Sequence, residues 1–100
     1  MYIAMNRFRI AAGRESDFES VWRTRQSYLN TVAGFKEFHL LRGATENGVT
    51  LFASHSVWES RKAFEDWTNS DSFRMAHGQG RSPEGVVVGP PQFEGFDVVL

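Results

Sequence analysis

Three side chains in this sequence have types and positions suited to chemistry: an amide at Asn6, an indole at Trp67 and an imidazole at His77. The last two belong to the stretch Ala63–His77, AFEDWTNSDSFRMAH, which reads as two short helical pieces joined at Thr68-Asn69-Ser70. In the first piece Ala63, Phe64 and Trp67 recur at i, i+1 and i+4, one apolar face of a helix. Ser70 suits the N-cap of the second piece, and Asp71 suits the positive end of its dipole. There Phe73, Ala76 and His77 share a face before Gly78 and Gly80 stop the helix. An imidazole so placed is either a packed core residue or a ligand. Asn6 poses a similar choice, because an amide on the more apolar face of a strand is costly unless it is hydrogen-bonded. Its partner is either a neighbouring backbone group or something held in a cavity.

The elements that must position these groups follow from periodicity and punctuation. Residues 2–10, YIAMNRFRI, alternate as a strand, with Tyr2, Ala4, Asn6, Phe8 and Ile10 on one face. Ala11-Ala12-Gly13 is a turn. A helix is expected from about Arg14 to about Val32, with Ser16-x-x-Glu19 matching the capping-box pattern unless the helix begins a turn earlier. Its apolar stripe is Phe18, Val21, Trp22, Leu29 and Val32; Arg25 interrupts it and either snorkels to the surface or reaches an anionic ligand at a pocket edge. Phe35–Gly43 reads as the second strand and Ala44–Gly48 as turn chemistry, with Asn47-Gly48 a hairpin signal. Val49–Trp58 is the third strand, apolar on both faces, and places His55, like His39 before it, at a surface or an interface. A helical stretch begins at Glu59-Ser60. The Gly/Pro-rich segment Gly80–Pro91 is then a long loop whose Val86-Val87-Val88 must cover a pocket, pack on a second subunit or form a short strand. Gln92–Leu100 closes the chain as a strand. The order is β-α-β-β-α-β with the second helix broken, an α+β, ferredoxin-like arrangement of one antiparallel sheet with helices on one face. The other sheet face is also apolar, and a homodimer with two sheets packed face to face would bury it.

Composition removes several classes of function. One hundred residues fit a single domain spanning 1–100. Fourteen aromatics are many for a chain that buries only about two-thirds of its unfolded surface, so some should serve a ligand pocket or an interface. A net charge of −1 and scattered arginines argue against nucleic acid and against a membrane surface as partners. The absence of cysteine removes disulfides, thiolate metal sites and a thiolate nucleophile. No segment approaches the roughly 20 apolar residues that span a bilayer, and the N-terminus lacks a signal-peptide pattern, so a cytoplasmic protein is expected. There is no phosphate-cradling glycine motif, no HExxH-type pair and no flavin or nicotinamide signature.

Taken together, Asn6 in the first strand, Trp67 after AFEDW and His77 in SFRMAH resemble the Asn-Trp-His triad of IsdG-type haem-degrading monooxygenases. These belong to the antibiotic-biosynthesis-monooxygenase superfamily of dimeric α+β barrels. The resemblance extends through Gly34-Phe35, LLRG and the VWES–AF–W run at Val57–Trp67. It implies that His77 coordinates haem iron from the proximal side. Asn6 would hydrogen-bond dioxygen or a reduced oxygen species on the distal side, and Trp67 would press on the porphyrin and ruffle it. Haem would be cofactor and substrate at once, opened with dioxygen and with electrons from an external reductase, releasing iron. Arg25 matches a basic position in some relatives and would pair with a propionate, and Trp22, Phe64 and Phe73 are candidate walls. A large apolar disc needs aromatic walls, one axial donor and few other polar groups, which agrees with these residue types. Two other readings compete: a cofactor-free monooxygenase of the same superfamily acting on an aromatic or quinol substrate, and a non-catalytic dimeric binding or stress-response module.

Overall fold

A computed structural model describes residues 1–71, 73 and 84–100, the side chains of residues 25–28 excepted. His77, the glycines at 78 and 80, the first part of the 80–91 loop and the side chain of Arg25 therefore lie outside the described residues. The elements are β1 (Tyr2–Ala11), α1 (Glu15–Leu29), β2 (Phe35–Glu46), β3 (Val49–Trp58), α2 (Arg61–Thr68) and β4 (Gln92–Asp97). The strands form one antiparallel sheet in the order β2-β3-β1-β4, and both helices pack on one side of it. This is the expected ferredoxin-like α+β fold.

The β2–β3 hairpin turns on two residues, Asn47 (φ 53°) and Gly48 (φ 77°), both left-handed. Two successive positive φ values give a turn whose twist matches that of the flanking strands. The strands consequently reach farther than expected: β2 runs to Glu46, with its register slipping between Arg42 and Thr45 instead of ending at Gly43.

Helix α1 does not use Ser16 as its cap. The helix begins at Glu15, whose Oε1 accepts from the Gly13 amide at 2.7 Å, so Ser16 lies inside the first turn. Thr50, 1% exposed, donates to the other Glu15 oxygen at 2.9 Å. The carboxyl is held below its usual range, first by hydrogen bonding to its own backbone amide and then by Thr50. The helix also stops at Leu29, short of Val32, because Gly34 (φ 82°) redirects the chain into β2.

At the other end, β4 stops at Asp97, opposite Tyr2, since β1 offers nothing beyond to pair with except Met1 O, which accepts from the Val98 amide. Of the three fates open to the valines, the third is approached but not reached, with one isolated bridge in place of a strand. Val87 bridges Ile10, flanked by Ala11 N–H to Val86 O and Val88 N–H to Arg9 O, and Val86 is fully buried.

Two apolar clusters lie between sheet and helices. Tyr2, Ala4, Leu29 and Trp58 form one, with Phe64 and Trp67 against it. Ile10, Phe18, Phe52 and Val86 form the other, with Phe8 and Trp22 against it. On the opposite, open face of the sheet Leu41, Leu51 and Phe96 remain about two-fifths exposed. His39 and His55 sit there as cross-strand neighbours, ring centroids 6.3 Å apart. No helix among the described residues is long and apolar enough to cross a membrane.

Candidate functional site

The gap between the two clusters is a cavity of about 320 Å³. Its floor follows from the strand pattern. Along the inner face of β1, apolar Tyr2 and Ala4 belong to one cluster and Phe8 and Ile10 to the other, which leaves Asn6 in the middle. β3 repeats the pattern, with Trp58 at one end, Phe52 towards the other, and Ser54 and Ser56 between them. Asn6 lies directly opposite Ser54 on β3 and Phe93 on β4.

The roof comes from the helices, and its geometry is set by caps and stacked rings. The Ser60 side chain accepts from the Ala63 amide at 3.1 Å and starts α2, which carries Phe64 and Trp67 over the sheet. Trp67 stacks on fully buried Trp58, centroids 5.4 Å apart at 29°. Phe73 meets it edge-on at 4.7 Å and 89°. Ser70 joins those two residues: its hydroxyl donates to Trp67 O at 2.6 Å and accepts from the Phe73 amide at 3.2 Å. The expected cap at Ser70 is thus present, and the break at Thr68–Ser70 turns the chain so that indole and phenyl ring face one space. Farther along, Trp22 of α1 stacks on Phe38 at 5.5 Å and 19°, and Phe64 stacks on Phe93 at 5.6 Å and 6°.

Of the residues singled out in the sequence, Asn6, Trp22, Phe64, Trp67 and Phe73 all line this one cavity. His77 and the Arg25 side chain lie outside the described residues. The sequence reading missed Phe38, Ser54, Ser56, Thr68 and Phe93 as lining residues. For the strand residues the missing signal was pairing order, because only the β2-β3-β1-β4 arrangement brings their inner faces alongside Asn6.

Electrostatically the cavity is quiet. Among the described residues no ionisable side chain lines it, and the ion pairs, such as Arg42–Glu19 and Arg61–Glu65, are at the surface. Its polar groups are neutral, and one is conspicuous. The Trp67 Nε1–H is buried with no hydrogen-bond partner among the described residues. Nor do three or more histidine, aspartate or glutamate side chains converge among the described residues. A flat apolar ligand with one or two polar atoms near its centre suits such a lining better than a small ion does. A larger concavity of about 550 Å³ opens between Arg7, Arg9, the Asn47 turn and Pro90, but none of the residues singled out for chemistry lines it.

Comparison with known proteins bears on the same region. The family described as antibiotic biosynthesis monooxygenase matches residues 1–79. The chain is 30% identical over 81 residues to "Heme oxygenase (staphylobilin-producing) 1" of Staphylococcus aureus, covering 81% of this chain and 75% of that protein. Among solved structures it resembles the heme-degrader MhuD from Mycobacterium tuberculosis, crystallised with two hemes in its active site. That likeness has a TM-score of 0.78 at 28% identity, over 100% of this chain and 97% of MhuD. SnoaB, a cofactor-independent oxygenase from Streptomyces nogalater, aligns with a TM-score of 0.72 at 16% identity, over 99% and 94% of the two chains; this shows the common fold alone.

Proposed function

This chain belongs to the antibiotic biosynthesis monooxygenase family, and we propose that within it the protein is a haem-degrading monooxygenase. The observation that carries the reading is the convergence of the Asn6 amide and the Trp67 indole on one aromatic-walled cavity free of ionisable groups among the described residues. Its likeness to a heme oxygenase and to a heme-degrader supports the choice of ligand.

The residues fit haem by their chemistry. Trp22, Phe38, Phe64 and Phe93 offer flat apolar surface, and the unpartnered Trp67 Nε1–H and the Asn6 amide are the polar groups such a ligand would meet. His77 would hold the iron, with neutral imidazole the ligating form. Arg25 would pair with a propionate. Bound haem would supply the redox chemistry, with dioxygen as oxidant and electrons from an external donor.

The protein's own part is positional. The backbone of Asn6 is held between Ser54 and Phe93 in the ladder, and its side chain would donate to a small ligand bound at the haem. Trp67, backed by Trp58 and met edge-on by Phe73, would press on the macrocycle. The aromatic walls exclude water, which strengthens each remaining hydrogen bond. A homodimer buries the open sheet face carrying Leu41, Leu51 and Phe96, and the protein works in the cytoplasm.

Titration of the purified protein with haem tests this reading. Wild type should develop a saturable Soret band; His77→Ala should lose it and Asn6→Ala keep it. A wild-type protein that binds no haem would overturn the proposal. If that protein then oxidised a phenolic substrate without cofactor, it would belong with the cofactor-independent oxygenases, whose fold it shares.

A further inference from the structure

Asn6 has a neighbour whose chemistry the proposed roles leave unused. Ser54 stands opposite it in the β1–β3 ladder, and both side chains line the cavity. Directly opposed residues on one face of an antiparallel pair have Cβ atoms about 4.5–5.5 Å apart, so two short polar side chains there can reach one common atom. Ser54 is 7% exposed. Burying a polar group is costly unless it is bonded, and this hydroxyl instead opens on the cavity.

Its sister residue shows how such a cost is normally met. Ser56 accepts from Trp58 Nε1 at 2.9 Å and donates to Ala4 O at 3.3 Å. Ser54, two residues away on the same face, makes no hydrogen bond among the described residues, and neither does the Asn6 amide. The two strands thus place two unbonded polar groups side by side where the apolar clusters part, on a floor that alanine or valine would fill more cheaply.

We infer that Ser54 is a second ligand-facing donor, and that its hydroxyl and the Asn6 amide together hold one anionic or oxygen-atom ligand on the same face of bound haem. The inference rests on the haem reading above. It assigns Ser54 a positioning role: with one donor a ligand can swing about a single hydrogen bond, whereas two donors from adjacent strands fix its direction.

Azide binding to the ferric haem complex measures this without turnover. The comparison is wild type, Ser54→Ala, and the matched pair Ser54→Thr and Ser54→Val, which differ by a hydroxyl at nearly constant shape. Haem affinity and thermal midpoint are measured for each. Ser54→Ala and Ser54→Val should weaken azide by about tenfold to a hundredfold, the worth of one hydrogen bond to a charged group. Their haem affinity should remain within about twofold of wild type, and Ser54→Thr should recover most of the azide affinity. Equal azide affinity in the Thr and Val variants overturns the inference while leaving the haem reading intact, as does a loss of azide that merely follows loss of haem. Absence of haem binding by wild type overturns both.

Discussion

Replacing Trp67 by phenylalanine should separate what the indole does for the fold from what it does for the ligand. The buried Nε1–H has no partner among the described residues, and an unsatisfied buried donor costs about 1–3 kcal/mol. Trp67→Phe removes that cost. It also gives up part of the ring surface, about 1 kcal/mol at ~25 cal/mol per Å², and keeps an aromatic face against Trp58 and Phe73. The two changes oppose each other, so stability should stay within about 1 kcal/mol of wild type, or rise. Trp67→Ala removes the same N–H but gives up the whole ring and its packing, and should cost about 3 kcal/mol, the low end for a large aromatic because Trp67 is half-buried. Urea unfolding with an unchanged m-value is the assay. If the phenylalanine variant were as destabilised as the alanine variant, the indole would have to be satisfied in the free protein, and its N–H would not be waiting for a ligand. In the presence of haem, the same phenylalanine variant should lose turnover despite its intact stability.

Other perturbations follow from the fold. The carboxyl of Glu15 titrates lower in the folded protein than in the unfolded chain, so its contribution is full above the ordinary carboxylate range and lost as pH falls through the folded value. Glu15→Gln should accordingly lower the melting temperature at neutral pH, with the gap to wild type closing in acid. Gly34→Ala would set a Cβ 2.5 Å from the Ala63 Cβ at a backbone φ of 82°. Strain and overlap together should cost roughly 2–4 kcal/mol in a denaturant melt, and α2 should shift with its Phe64 and Trp67. Leu51→Asp places a charge on the open face of the sheet, where Leu51 is 38% exposed. Light scattering should show wild type as a dimer and this variant as a monomer, and a monomeric wild type would refute the proposed assembly.

Much of the fold is readable along the chain because alternation and turn chemistry are local. β3 has the bounds its alternation indicates, and Asn47-Gly48 turns where two residues able to hold positive φ stand together. Where elements end was less legible, because ends depend on partners. α1 begins at Glu15, before Ser16, where the Glu15 carboxylate meets Gly13 and a residue 35 positions away, and β4 stopped where β1 ceased to offer a pair. Within the site, Asn6 and Trp67 stood out as an amide on an apolar strand face and an indole beside a helix break. Ser54 did not, since a strand serine looks the same whether it bonds its neighbour, as Ser56 does, or faces a cavity. Phe38 and Phe93 read as ordinary strand residues until strand order placed them beside Asn6 and Trp22.

The central claim is that the ligand of this cavity is consumed. Haem-loaded wild-type protein, given an electron donor under air with a chelator present, tests it by the iron released for each haem lost. The account predicts decay of the Soret band with about one chelatable iron per haem, and much slower release in Asn6→Ala and Trp67→Phe. A Soret band that persists through reduction and re-oxidation, with no iron released, would contradict it and leave the protein a haem binder only.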